Sequence, residues 1–323
     1  MKKFSKILAG VLCLAMALTL CACGNDSGDS ASLTFATGGE TGTYYAFGGV
    51  LSQYVSSQED LGLSVTAVSS NGSQSNIEDI HGGQVQLGFV QSDVMSYAYS
   101  GTNLFSEPVQ DFSVVAAMYM EQVQIVTLDP EIKTVADLAG KNVSIGATGS
   151  GVYFNALDVL GAYGLTESDI KPVYQSFGDS VESLQDGKID AAFIVAGAPT
   201  NAVASLAATN DVYLVGMDEE HISTLLETSP YYTQVTIPAD VYGTPTDVTT
   251  VAIAAVIVAS NEVSEDAIYN FVSTIFNNLE TISQQHAKGA ECSLEFASSI
   301  ADVPYHAGAA KYFAEQGITV PTA

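Results

Sequence analysis

From Leu33 onward, short runs of β-branched or otherwise apolar residues alternate with amphipathic stretches of helical length. This alternation is the pattern of an α/β protein. The runs that read as strands are Leu33-Thr34-Phe35-Ala36, Leu63 to Val68, Val85 to Val90, Val114 to Met118, Val123 to Leu128, Asn142 to Ile145, Ile189 to Val195, Asp211 to Gly216 and Val251 to Ala259. The last is nine unbroken apolar residues. A membrane-spanning helix needs about 20, so the run predicts a strand covered on both faces. After Asn261 the period changes. Asn261 or Ser264 is placed to cap a helix, Glu262, Glu265 and Asp266 suit the positive end of its dipole, and Ile268, Phe271, Val272 and Ile275 recur at helical spacing. The C-terminal part, through Leu279 and Ile282, is therefore expected to be helical.

The first residues obey a different pattern. Lys2, Lys3 and Lys6 precede an almost unbroken apolar run of 14 residues, Ile7 to Leu20, and then Leu20-Cys21-Ala22-Cys23. A basic start, an apolar stretch too short to span a bilayer and a small-residue end form a secretory signal, expected over residues 1–22. Leu20 and Ala22 frame Cys23 as bacterial lipoprotein signals frame the cysteine that is lipidated, so Cys23 is the expected lipid attachment point. Residues 23–32, rich in Ser, Gly, Asn and Asp, read as a flexible tether.

Composition narrows the functional classes. Lys and Arg total 9 against 36 Asp and Glu, giving −27. A surface of that sign is unsuited to a nucleic acid, whose phosphates need clustered cations. Loss of residues 1–22 removes three lysines and no acid and leaves −30. An anionic membrane repels such a body, which leaves the holding to the lipid. Cys13 and Cys21 depart with the signal, and Cys23 is taken by lipid. Cys292 is then left without a disulfide partner and reads as a packed thiol. His81, His221, His286 and His306 lack the spacing of a metal pair. No nucleophile elbow and no Cys/His signature occur. The chain is expected to be neither an enzyme nor a holder of a metal or cofactor.

Two glycine-rich turns carry the candidate chemistry. Thr41-Gly42-Thr43-Tyr44-Tyr45 and Ser150-Gly151-Val152-Tyr153-Phe154 share one pattern at an offset of 109 residues, and Val50/Val159 and Leu51/Leu160 match at the same offset. Each copy follows a strand and opens a helix, which suggests two α/β lobes with one such turn apiece. Glycine lets backbone approach a small molecule closely, and the first N–H groups of a helix favour an anion. Neither turn has the spacing of a P-loop or of a dinucleotide fingerprint. All nine cations are lysine, so no guanidinium fork is available to hold a carboxylate. Donors must come from backbone, hydroxyl and amide groups, with Tyr44, Tyr45, Ser73, Asn76, Gln91, Ser92, Ser150 and Asn155 as candidates. The charge of the body favours a zwitterionic or cationic solute over a dianion, within the reach of salt screening.

FATGGETGTYYAFGGVLSQYV, SSNGSQSNI, LGFVQSDVMSYAYSG, LAGKNVSIGATGSGVYFNA and DGKIDAAFIVAGAPTNAVASLA follow one another between Leu33 and Phe276. In order and spacing they resemble the TAXI family of solute receptors for TRAP (tripartite ATP-independent periplasmic) transporters. The resemblance implies an α/β, two-lobed, type II-like periplasmic-binding-protein fold with hinge strands and a helical C-terminal part. It further implies a small solute, glutamate, glutamine or a related dicarboxylate, delivered to TRAP permease subunits that an ion gradient drives. Carried onto this sequence, it gives Gly42, Tyr44, Tyr45, Ser73, Asn76, Gln91, Ser92, Ser150, Gly151, Asn155 and the Ala198-Pro199 loop as ligand-binding positions. Ala46-Phe47 stand where relatives often carry a nearby proline, a departure that bears on the local helix start.

Lobe 1 is expected to hold residues 33–121 and 237–323, and lobe 2 residues 122–236. The chain would cross near Met120 to Gln124 and return near Thr233 to Pro238. The expected receptor is monomeric and extracytoplasmic, and it is held to the cell membrane by its lipid. A binding protein of an ATP-driven importer or a sensory system, or an enzyme, are the competing classes.

Overall fold

The computed structural model describes residues 31–322. The expected signal, Cys23 and most of the expected tether lie outside the described residues. Ala31 and Ser32, expected in the tether, belong to a strand. Strand β1 (Ala31–Ala36) already pairs in parallel with β2 (Leu63–Val68), Ala31 opposite Leu63 and Ser32 opposite Ser64. Ladder bonds use backbone groups, so polar Ser32 is no obstacle to the strand.

The other strands are β3 (Leu87–Gln91), β4 (Phe112–Thr127), β5 (Asn142–Ser144), β6 (Lys171–Val173), β7 (Ala191–Ala196), β8 (Tyr213–Val215), β9 (Thr233–Ile237) and β10 (Val248–Ser260). They form one sheet in the order β2-β1-β3-β10-β4-β7-β5-β6, with β8 beside β4 and β9 beside β10. The outer strands are parallel, whereas β4 and β10 run antiparallel to each other and to their neighbours β7 and β3. Covering helices are α1 (Thr43–Ser56), α2 (Ser73–His81), α3 (Ser92–Ser100), α4 (Gly151–Ala162), α5 (Phe177–Gln185), α6 (Asn201–Ala207) and α7 (Glu219–Thr228). The C-terminal part is helical, with α8 (Glu265–Phe276), α9 (Leu279–Gln285), α10 (Leu294–Ala297) and α11 (Ala307–Glu315). Ser264 caps α8, its hydroxyl accepting from the Ala267 N–H at 3.3 Å. Asn261 instead accepts from Ser113 and donates to the Gln110 carbonyl.

Val114 to Met118 and Val123 to Leu128, expected as two strands, belong to one 16-residue strand, β4. The polar step Glu121-Gln122 interrupts the apolar pattern without interrupting the backbone. Phe112 to Gln122 of β4 lie along β10, and Gln122 to Thr127 are flanked by β7 and β8. β10 is shared in the same way, Ala255 to Ala259 lying along β3 and Val248 to Ala252 along β9. β6 and β9 have no strong apolar signal. β6 even carries Pro172, which an edge strand tolerates.

Buried side chains fall into three groups. The first joins β1 to β3, the start of β4, the end of β10 and the C-terminal helices, with Phe35, Phe89, Phe112, Ile257 and Phe271 among its members. The other two lie on opposite faces of β4 and β7. Val123, Ile125 and Phe193 pack with α4 and α7, and Val126, Ala192 and Ile194 with α5 and α6. This is the period of two of strands covered on both sides. Packing changes groups between Tyr119 and Val123 in β4 and between Ile253 and Ala254 in β10. Ile237, Tyr242, Val251 and Ile253, expected in lobe 1, pack with residues of the second half. The reason is that β9 folds back as a hairpin on the start of β10 and does not cross.

Candidate functional site

Helices α1, α2 and α4 begin directly after glycine-rich turns. Their N-caps are Gly42, Gly72 and Ser150, and none makes a side-chain capping bond. Gly72 has φ +106°, a conformation that only glycine adopts without strain. α5, by contrast, is capped by its own Ser176, whose hydroxyl accepts from the Asp179 N–H at 3.2 Å. The first N–H groups of a helix lack intrahelical acceptors and carry the positive end of its dipole. At α1, α2 and α4 no capping side chain consumes them.

These three helix starts, with the start of α5, surround a cavity of about 70 Å3. One water needs about 10–15 Å3, so the space suits a small metabolite and not a peptide. Gly42, Tyr44, Ser73, Gln91, Ser150 and Gly151 line it. The cavity lies on the seam between the two halves, which are pressed together. The Ser75 N–H donates to the Gly149 carbonyl at 2.9 Å, and the Ala202 N–H to that of Thr41 at 3.2 Å. The Thr43 hydroxyl donates to the Gly197 carbonyl at 3.1 Å. Phe154 of α4 reaches into the first half, its ring 6.1 Å from those of Tyr97 and Phe105. A Cβ on Gly151 would stand 1.9 Å from Gln91 Oε1 and 2.7 Å from Ser73 Oγ, so only hydrogen there lets the halves meet.

The remaining sequence candidates stand apart from the lining. Asn76 is buried beneath it, its Nδ2 donating to the carbonyls of Thr37 at 2.8 Å and Phe89 at 2.7 Å, which ties β1 to β3. Ser92 is buried at the start of α3, where its carbonyl accepts from the Ser96 hydroxyl. Asn155 spans the seam from α4, donating to Asp93 Oδ2 at 3.0 Å and to the Tyr232 hydroxyl at 2.8 Å. Ala198, joined to Pro199 by a cis peptide, donates its N–H to Gln122 and accepts from Lys288 Nζ at 3.0 Å. Tyr45 is 36% exposed. Successive residues of a helix point about 100° apart, so the outward turn of Tyr45 accompanies the inward turn of Tyr44.

Glu121, Gln175 and Phe177 are among the lining residues that escaped the sequence criteria. Glu121 is 2% exposed and lines the cavity. The Tyr44 hydroxyl donates to its Oε2 at 2.9 Å, and the Tyr119 hydroxyl lies 3.5 Å from Oε1. Burial pushes this carboxyl up to about 8, against the hydrogen bonds from Tyr44 and Gln91. Its signal in sequence is that it is the one charged residue of the strand FSVVAAMYMEQVQIVT. An acid in an otherwise apolar strand is a functional marker. Gln175 and Phe177, at the start of α5, also line the cavity. Beside it, Asp93 is completely buried and its carboxyl is likewise pushed up to about 8 by burial.

Gln91 Oε1, Gln175 Oε1 and Ser150 Oγ are buried lining atoms without a hydrogen-bond partner among the described residues. Such a group costs roughly 1–3 kcal/mol, which points to partners supplied by a solute. No Lys, Arg or His stands among the lining residues. Among the described residues no group of three or more His, Cys, Asp or Glu is placed to hold a metal ion. The histidines have structural partners: His81 meets Asp111, His221 meets Asp218, and His286 and His306 accept backbone N–H groups at helix starts. Burial pushes the Cys292 thiol up to about 12, far from a nucleophile.

Residues 35–317 match the sequence profile of the NMT1-like family. Among solved structures, the chain is similar to a protein from Bordetella bronchiseptica RB50, with 17% identity, 90% of each chain covered and a TM-score of 0.54. It is similar to a putative L-cystine ABC transporter from Listeria monocytogenes, with 15% identity over 81% of this chain and 98% of that one and a TM-score of 0.52. An ancestral arginine-binding protein bound to arginine is similar at 16% identity, over 80% of this chain and 97% of that one, with a TM-score of 0.50. What is shared at these identities is the fold, an α/β periplasmic-binding-protein-like architecture with a curled sheet and covering helices.

Proposed function

The chain belongs to the NMT1-like family, and from that premise we propose that it is an extracytoplasmic solute receptor, which holds a small carboxylate-bearing metabolite between two lobes and releases it unaltered to a membrane transporter. One lobe comprises residues 31–121 and 254–322, the other residues 122–253, and β4 and β10 are the hinge strands. Opening of the seam admits the solute, and its contacts to both lobes favour the closed arrangement. The observation that carries this reading is the convergence of three uncapped helix starts, two from one half and one from the other, on one cavity with orphaned polar atoms. In a chain without arginine, these backbone donors are the available means of gripping a carboxylate.

In its finer form the receptor is of the TAXI type and takes glutamate, glutamine or a related dicarboxylate. It acts as a monomer, anchored by lipid at Cys23, and serves TRAP permease subunits driven by an ion gradient. Support for this form comes from the five motifs and from the layout of residues 1–23. Delivery to an ATP-driven importer instead predicts uptake that follows ATP and ignores the gradient. Thermal unfolding tests the receptor itself. A solute at 100 times its Kd stabilises by roughly 2.7 kcal/mol, which raises the midpoint by roughly 5 °C or more in a chain of this size. Midpoints unmoved by every amino acid and dicarboxylate would contradict the reading.

A further inference from the structure

Building on the receptor reading, we infer that Glu121 receives the ammonium group of the solute, which makes the receptor select amino acids over amine-free acids of the same skeleton. The cavity offers two kinds of chemistry. The helix starts of α1, α2 and α4 supply N–H donors suited to a carboxylate. Glu121, Gln91 and Gln175 supply acceptors. Gln91 Oε1 and Gln175 Oε1 have no donor among the described residues.

Glu121 keeps acceptor capacity. Its Oε2 accepts from Tyr44, the Gln91 side chain also bonds to the carboxyl, and Oε1 has the 3.5 Å approach of Tyr119. A carboxylate has about four lone-pair sites, and an ammonium group carries three donors. Among the described residues no Lys, Arg or His forms an ion pair with Glu121. The charge of Lys288 favours the ionised carboxyl, but its Nζ is committed to the Ala198 carbonyl at 3.0 Å and to Glu291. Without a cation in contact, burial drives the Glu121 carboxyl toward its neutral form, and an ammonium group in contact reverses that cost. An amine-free dicarboxylate would bring a second negative charge to this carboxyl and no donor to the unpartnered amide oxygens. An amino acid satisfies both sets of groups at once.

The test is isothermal titration of the full chain with the common amino acids and with the 2-oxo acids of matching side chain. For the amino acid that binds, the matching oxo acid is expected to be weaker by about 100-fold or more, because it leaves a buried acceptor set unpaired. Glu121→Gln should weaken the amino acid by about 30-fold or more while the oxo acid stays within about threefold, which removes the preference. An oxo acid that binds the wild-type chain as tightly as its amino acid overturns the role of Glu121 and leaves the receptor standing. So does a Glu121→Gln chain that keeps the full preference. Absence of binding by both sets overturns the receptor reading along with it. The wild-type comparison decides the matter by itself if the variant does not fold.

Discussion

Glu121 and Asp93 are carboxyls carried into almost complete burial without an ion-pair partner. Both are pushed up to about 8, and burial is the leading cause for each. An acid whose folded value exceeds its unfolded value of about 4 binds more protons in the folded state. Its contribution is therefore present below pH 4, is lost as the pH rises toward 8, and is level above that. Asp137, Asp169 and Asp218 are shifted the other way by hydrogen bonds, and their effects fall below pH 4, outside this window. Urea midpoints of the solute-free chain should fall between about pH 6.5 and pH 8, above the range in which His286 and His306, pushed down by burial, act with the opposite sign, and Asp93→Asn should flatten part of that fall. Midpoints that rise over this range would contradict the assignment. At this scale the glycine-rich turns were legible, because close backbone approach and helix starts leave a mark in residue type. Glu121 was not, because a single acid between Met120 and Gln122 resembles the polar step of a crossing segment.

Among elements, the contrast lies between helices that cap themselves and helices that do not. Ser264 caps α8 through the Ala267 N–H, whereas Ser150 stands at the N-cap of α4 with its hydroxyl unpartnered. Ser264→Ala should cost about 1 kcal/mol in urea unfolding and leave solute affinity intact. Ser150→Ala should leave unfolding nearly unchanged and weaken solute binding several-fold by titration. Equal effects of the two variants on stability would mean that Ser150 is an ordinary cap. The nine-residue run Val251 to Ala259 was legible as a buried strand, since both of its faces are apolar and all nine residues are buried. β4 was split in two by Glu121-Gln122, and β6 and β9 were missed. Edge strands are held by ladder bonds that side-chain patterning does not record.

For the whole molecule, alternation of strand and helix was sufficient for the α/β class, whereas the place where the chain returns between halves was not legible. A hairpin and a crossing look alike as short apolar runs. Only the packing of Tyr242, Val251 and Ile253 reveals that β10, and not residues 233–238, carries the change. The central claim is that helix starts from both halves grip one solute. Hydrogen exchange of the full chain, with and without the amino acid that raises its melting midpoint, tests this most directly. The account predicts slowed exchange together in the first turns of α1, α2 and α4. Slowing confined to one half, or absent from all three turns, would contradict it.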